Sequence, residues 1–138
     1  MTKKEQTKQE ALAEFLECEL NEVETSTYDE DTFDAEGNEY LVLTDEEADQ
    51  RAEDYIRDSV WAFLPGFIAD HCPRGIDAGV ISIIQTKCED ANDPILGMIE
   101  DFDEFVNDAI SVDGRGHFLS TYDGEEYGSG EYFIYRVN

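Results

Sequence analysis

The chain has 138 residues, of which 35 are Asp or Glu and only 9 are Lys or Arg, so its formal net charge is -26. A surface of this charge repels phosphates and anionic lipid heads, which argues against direct binding to nucleic acid or to a membrane surface. The hydrophobic fraction of 41%, with 12% aromatic residues, is too high for a disordered polyanion, so we expect one folded domain over residues 1–138.

The N-terminal segment, the cysteines and the lengths of the apolar runs predict the cellular location of the protein. Residues 1–10 are rich in Lys and Gln and lack an apolar segment, so we expect no signal peptide there, and we expect residues 1–7 to be disordered. Three single cysteines, Cys18, Cys72 and Cys88, are typical of reduced thiols rather than of a secreted disulfide framework. No run approaches the roughly 18 apolar residues of a membrane-spanning helix. These features predict a soluble protein of the cytoplasm.

The first half of the chain predicts a helix, a hairpin and a second helix. Apolar residues with helical periodicity predict the first helix from about Lys8 to Val23. Turn-forming residues at positions 35–38 and the apolar run Tyr40–Leu43 predict a hairpin whose second strand is this run. Thr44 precedes a Glu by three residues, which is the spacing of a capping box, so a helix is expected to begin directly after Thr44.

The second half predicts two more helices and a terminal strand. Pro65 is expected to end or kink the second helix, and Asp77 is a candidate N-cap for a third. Asp93, which precedes a proline, predicts the start of a fourth helix that continues to Ile110. Aromatic and β-branched residues predict a strand at Glu131–Val137. We expect an α+β fold of about four helices packed on a small antiparallel sheet, formed by the hairpin and the C-terminal strands.

The acidic residues concentrate in two parts of the chain. Residues 17–54 contain sixteen acidic residues and one basic residue. On the expected fourth helix, Glu100, Glu104 and Asp108 recur every four residues and would stand in a row about 6 Å apart. A run of carboxylates a few ångström apart on a rigid element resembles the charge spacing of a nucleic-acid backbone, where duplex DNA presents about one charge per 1.7 Å of axis. The predicted partner-binding surface therefore comprises Asp29, Glu30, Asp31, Glu46, Asp49, Glu53, Glu100, Asp101, Glu104 and Asp108.

Five segments of the chain carry a resemblance to known proteins, namely Tyr40–Asp49, Ser59–Phe63, Gly114–Ser120, Tyr122–Glu126 and Tyr132–Asn138. On these segments, and over about residues 38–138 as a whole, the chain resembles small acidic proteins encoded by tailed phages and prophages. The resemblance implies a phage protein in the host cytoplasm and carries no established activity. In size and charge the chain is also similar to the phage inhibitors that mimic DNA, which include antirestriction and anti-CRISPR proteins.

Metal-binding and catalytic motifs are weak in this sequence. His71, Cys72, Cys88 and His117 lack the paired CxxC spacing of a zinc site, and the acidic segment before Gly37 departs from the pattern of a calcium loop. We therefore expect adventitious binding of divalent ions but no dedicated metal site and no cofactor.

One polar group of mixed chemistry remains, in the Gly-rich segment near the C-terminus. It comprises His117, Arg115, Tyr122 and Asp123, and residues of this kind between glycines more often hold turns than perform catalysis. The sequence therefore predicts that the protein is not an enzyme.

The charge pattern predicts an acidic binding protein that inhibits a host nucleic-acid-binding or defence protein by mimicking the phosphate charge of DNA or RNA. The expected partner is a basic host protein such as a restriction enzyme or a CRISPR effector. The alternative is an acidic adaptor, chaperone or assembly protein that shields a basic phage component, and adaptation to high salt is a further source of acidity. Tyr127, Tyr132 and Tyr135 are expected to be exposed, which leaves open whether they form an interface. A homodimer is a separate candidate for the assembly of the chain.

Overall fold

The computed structural model describes residues 6–138, which divide into two compact units. Unit 1 comprises residues 6–52 and the segment Asp113–Asn138, and unit 2 comprises Glu53–Val112. The expectation of a single domain stays a prediction. Of the tail expected to be disordered, residues 1–5 lie outside the described part, whereas Thr7 has a defined place as the N-cap of the first helix.

The described residues form seven α-helices and a five-stranded antiparallel sheet, which confirms the α+β class with more helices than expected. The helices are α1 (Lys8–Leu16), α2 (Asp45–Ser59), α3 (Pro65–Ala69), α4 (Ala78–Gln85), α5 (Asn92–Met98), α6 (Phe102–Asp113) and α7 (Arg115–Leu119). The strands are β1 (Val23–Thr25), β2 (Thr32–Ala35), β3 (Asn38–Thr44), β4 (Tyr127–Ser129) and β5 (Tyr132–Arg136), in the order β1-β2-β3-β5-β4. None of these helices combines the length and apolarity needed to cross a bilayer.

Strand β3 is the centre of unit 1, and both of its faces are covered. Side chains alternate along a strand, so Tyr40 and Val42 pack with Leu12 of α1 on one face. Leu41 and Leu43 pack on the other face in a cluster to which α2 and α7 contribute. A continuous apolar run is the pattern of a strand buried on both sides, and this accounts for the position of β3 in the middle of the sheet.

The predicted hairpin is confirmed as the pair β2 and β3. Its two turn residues, Glu36 and Gly37, have positive φ angles of 54° and 82°. Turns of this kind match the twist of the strands they join, and Gly37 adopts such a φ without strain. Strand β5 then pairs with β3 through Val42 opposite Ile134, which brings the C-terminal hairpin into the same sheet.

Helix α1 is shorter than predicted, since it ends at Leu16 and not near Val23. Glu17 takes a left-handed conformation with φ of 56°, and the Cys18 N–H donates to the Ala13 carbonyl at 3.0 Å. This ending satisfies carbonyls that the last helical turn leaves unpaired. The apolar stripe nevertheless continues in sequence, because Val23 starts β1 and packs in the same core.

The capping box at the start of α2 is confirmed in both directions. The Glu47 N–H donates to the Thr44 hydroxyl at 3.2 Å, and the Thr44 N–H donates to the Glu47 carboxylate at 2.9 Å. Pro65 does not kink α2, which already ends at Ser59, but occupies the first position of α3. Its missing N–H costs nothing there, because the first N–H groups of a helix have no intrahelical partner.

The predicted fourth helix is wrong as a single element, since unit 2 contains α5 and α6 in its place. The chain is extended at Ile99, with ψ of 123°, and Asp101 then accepts the Glu104 N–H at 3.2 Å. A carboxylate that caps a new helix start competes with continuation of the preceding helix. Asp93 lies inside α5 and does not cap it.

Helix α4 depends on the predicted cap at Asp77, whose carboxylate accepts the Val80 N–H at 3.0 Å. We expect Asp77→Ala to lower the free energy of unfolding by about 1 kcal/mol, because this N–H loses its partner. Asp77→Ser is the control, since a hydroxyl also caps. Urea denaturation followed by circular dichroism measures both, and an equal loss in the two variants would contradict the capping role.

Candidate functional site

The structure divides the ten predicted surface carboxylates by their partners. Five of them lie against a cationic or imidazole side chain, namely Asp29, Asp31, Asp49, Glu53 and Asp108. The other five are exposed and form no ion pair with any residue of the described chain, namely Glu30, Glu46, Glu100, Asp101 and Glu104. The charge predicted for the surface is therefore only partly available to a partner.

A network around Asp31 takes two of the predicted carboxylates into the framework of unit 1. The Lys8 ammonium lies 2.5 Å from Asp31 and 2.7 Å from Glu47, and the Arg51 guanidinium lies 3.0 Å from Asp31 and 3.2 Å from Asp29. Burial alone would lower the pKa of Lys8, but its hydrogen bonds to the two carboxylates outweigh burial and raise that pKa. These contacts fasten the loop between β1 and β2 to α1 and α2.

Arg115 holds three acidic residues of unit 1 together. Its side chain is 10% exposed, and Nη1 lies 2.8 Å from Asp45 and 3.0 Å from Asp49, while Nε donates to Glu126 at 2.8 Å. The guanidinium also stacks on the Phe133 ring, 4.7 Å from its centroid. Burial opposes the charged form, but the hydrogen bonds to Glu126 and Asp45 raise the pKa of Arg115 above its ordinary value. Asp49 therefore stabilises unit 1 through its ion pair with Arg115.

The polar group expected around His117 is not brought together as one site. Arg115 is directed to its three carboxylates, whereas Asp123 accepts hydrogen bonds from the Ser120 hydroxyl at 2.6 Å and the Tyr127 hydroxyl at 3.0 Å. The expectation that such residues hold turns agrees with these contacts. Tyr122 lies under the Arg136 guanidinium, which is 3.6 Å from the ring centroid.

The tail tyrosines are poorer interface candidates than the sequence predicts. Tyr135 is fully buried, and its hydroxyl donates to Glu126. Burial, with this hydrogen bond, raises the pKa of Tyr135. Tyr132 is half-buried and donates to the Gln6 carbonyl at 2.9 Å, so Tyr127 is the most exposed of the three. These side chains serve contacts within unit 1.

Unit 2 carries the densest group of unpaired acids, which we name the α6 acidic cluster and define as Glu100, Asp101, Asp103 and Glu104. All four side chains are exposed, and none contacts a Lys or Arg of the described chain. Only Asp103 and Glu104 lie on α6, so the predicted row from Glu100 to Asp108 does not lie on one helix. Acids at a helix N-terminus interact favourably with the helix dipole, which offsets part of their mutual repulsion.

One group of residues in the described chain has the composition of a metal site. His71, Glu104 and Asp108 each offer a ligand atom, and these atoms lie within 4.8 Å of one another. Sequence reasoning missed this group because His71 belongs to the segment after α3 and the acids belong to α6. The i, i+4 spacing of the two acids was the only signal that pointed to it.

Comparison with known proteins adds no relative. No family model matches the chain, and no curated protein or solved structure matches it significantly. Any function must therefore be argued from the geometry and charge of the chain itself.

Proposed function

We propose that this chain is a phage-encoded acidic binding protein that inhibits a host nucleic-acid-binding or defence protein by occupying its phosphate-binding surface. The observation that carries the proposal is uncompensated charge, since unit 2 alone has thirteen acidic residues against three Lys or Arg. A field of this sign attracts a basic surface and repels nucleic acid. The proposal includes the expected phage origin of the chain, for which the target would be a host protein such as a restriction enzyme or a CRISPR effector.

The α6 acidic cluster is the best candidate for the contact surface within unit 2. It places four carboxylates in the five residues 100–104. At no more than about 3.5 Å per residue, this charge density is comparable to the phosphates of one DNA strand, which lie about 3.4 Å apart along the axis. Acids such as Asp31 and Asp49 contribute less, because their cationic partners cancel much of their field.

Neutralisation of the cluster tests this assignment against a matched control. The cluster variant carries Glu100→Gln, Asp101→Ser, Asp103→Asn and Glu104→Gln. Serine at position 101 removes the charge but still caps α6. The control variant removes the same number of charges from exposed acids of unit 1, through Glu24→Gln, Glu36→Gln, Glu125→Gln and Glu131→Gln.

Each variant is added to purified basic DNA-binding proteins that hold a fluorescent duplex, among them a restriction endonuclease and a CRISPR effector nuclease. Displacement of the duplex is followed by fluorescence anisotropy. We expect the native chain to displace the duplex of its target, and its affinity to fall at least about tenfold between about 50 and 200 mM salt. We expect the cluster variant to lose at least about tenfold in affinity and the control less than about threefold.

Equal losses in the two variants would assign the effect to total charge and not to the α6 acidic cluster. Binding that is as tight at high salt as at low salt would contradict phosphate mimicry, because screening weakens every exposed ionic contact. Failure to displace DNA from any such protein, with binding to a basic phage component, would establish the adaptor alternative.

A further inference from the structure

A largely buried imidazole in unit 2 lies beside two carboxylates of α6. The His71 ring packs against the phenyl rings of Phe67 and Phe105, with centroids 5.4 and 5.1 Å away. Its side chain is only 9% exposed, and Nε2 lies 3.1 Å from Oδ2 of Asp108. Packing against these two aromatic rings restricts the orientation of the imidazole. Nε2 of His71 therefore points to Asp108 on α6.

The two carboxylates lie on the same face of that helix. Glu104 and Asp108 are one turn apart, and side chains at this spacing stand next to each other. Neither is paired with a Lys or Arg of the described chain. Like charges so placed repel each other, and a dication between them would convert this repulsion into attraction.

We propose that His71, Glu104 and Asp108 form a binding site for a divalent transition-metal ion, for which Zn²⁺ is the best-fitting common ion. Ligands about 2.0–2.2 Å from zinc lie roughly 3–3.5 Å from one another, and the pair His71 and Asp108 already has this spacing. A carboxylate oxygen of the exposed Glu104 lies within 4.8 Å of both ligand atoms, so a small movement of this side chain completes the set. Three protein ligands leave the fourth tetrahedral position to water.

The donor set separates this site from the general acidity of the chain. Magnesium and calcium prefer ligand sets made of oxygen atoms alone, whereas an imidazole nitrogen favours zinc and its transition-metal neighbours. The site would join the segment after α3 to α6, so the ion would stabilise unit 2. This departs from the sequence prediction of adventitious divalent binding only.

Calorimetric titration of the tag-free, chelator-treated full chain with ZnCl₂ tests the site. We expect one saturable equivalent of Zn²⁺. Glu104→Gln and Asp108→Asn should each weaken zinc binding at least about tenfold, since even indirect partners of a metal ligand are worth 10- to 100-fold. Asp103→Asn is the matched control, because it removes the same charge from the same helix outside the ligand set, and we expect a change below about threefold. His71→Gln, checked for folding by circular dichroism, should lose binding as well.

Cobalt spectroscopy tests for other protein ligands, and competition with Mg²⁺ tests for an unselective site. The side chains whose ligand atoms come together are one imidazole and two carboxylates, and the neighbouring Cys72 is not among them. Cobalt in place of zinc should therefore give d–d bands without a thiolate charge-transfer band. A thiolate band, displacement of zinc by excess Mg²⁺, or an equal loss in Asp103→Asn and Asp108→Asn would each overturn the proposal.

Discussion

Replacement of Arg115 by methionine is expected to lower the free energy of unfolding by about 2–3 kcal/mol. The guanidinium is nearly buried and donates to Asp45, Asp49 and Glu126 at 2.8 to 3.0 Å. A hydrogen bond to a charged group contributes about 1.5–3 kcal/mol to stability. Removal of the guanidinium leaves all three carboxylates without this donor. The two aspartates are mostly exposed and regain water, which keeps the cost below the 3–5 kcal/mol typical of a fully buried network.

The control for this substitution must separate the lost contacts from the lost positive charge. In a chain of net charge -26, removal of any cation increases self-repulsion. Arg74→Met makes the same change at an exposed position with no ion pair in the described chain, and we expect it to cost less than about 0.5 kcal/mol. Arg115→Lys keeps the charge but loses the planar fork and the stacking on Phe133, so an intermediate loss is expected.

Urea denaturation followed by circular dichroism measures the three variants. Added salt should recover part of the loss in Arg115→Met, because screening reduces repulsion among the three orphaned carboxylates, but it cannot restore the hydrogen bonds. If Arg115→Met and Arg74→Met lowered stability equally, the role of Arg115 would be reduced to its charge alone.

Features that depend on residues within about four positions could be predicted from the sequence. The capping box of Thr44 and Glu47 is one of them, and the turn at Glu36 and Gly37 is another. The Asp77 cap belongs to the same class. In each case the partner atoms are neighbours along the chain, so local spacing determines the contact.

Helix ends inside a continuous apolar stripe could not be predicted in the same way. The stripe that begins in α1 continues to Val23, yet the helix ends at Leu16 because Glu17 turns left-handed. The stripe from α5 into α6 is likewise interrupted at Ile99, where a new helix is capped by Asp101. Periodicity reports which residues reach a core, and a strand or a second helix satisfies the same requirement as one long helix.

The total charge of the candidate site could be predicted, but its division into paired and unpaired acids could not. Arg115 is 70 residues from Asp45 in sequence, and Arg51 is 20 residues from Asp31. Such ion pairs form because the fold brings distant segments together, so they cannot be predicted from the spacing of residues in the sequence. The burial of Tyr135 has a similar origin, since both faces of β5 are covered when it lies beside β3.

Replacement of Gly116 by alanine is expected to destabilise unit 1 by about 3 kcal/mol, the upper end of the usual cost of overpacking. This glycine lies in α7 against the backbone of the segment Gly124–Glu126. A Cβ at this position would stand 2.6 Å from the Gly124 carbonyl oxygen, 2.7 Å from the Glu125 carbonyl carbon and 2.9 Å from the Glu126 nitrogen. All three atoms belong to the main chain, so no flexible side chain can move aside.

The segment cannot retreat without cost, because it is held at both ends. The Gly124 N–H donates to the Ser120 carbonyl at 3.0 Å, and Glu126 accepts hydrogen bonds from Arg115 and Tyr135. Displacement by the extra methyl group would therefore strain the contacts that Arg115 organises. The expected loss in Gly116→Ala includes part of the loss expected for Arg115→Met, so the double variant should lose less than the sum of the two.

Gly97→Ala in α5 is the control for the chemical change from glycine to alanine. A Cβ there has no neighbour within 4 Å, so the substitution only removes backbone freedom from the unfolded chain and should stabilise the protein by about 0.5 kcal/mol. Opposite signs in the two variants, measured by urea denaturation, would establish a steric cause at position 116. If Gly116→Ala were as stable as the native chain, the Gly124–Glu126 segment would have to move, and faster hydrogen exchange at the Gly124 amide, which donates to the Ser120 carbonyl, would reveal that movement.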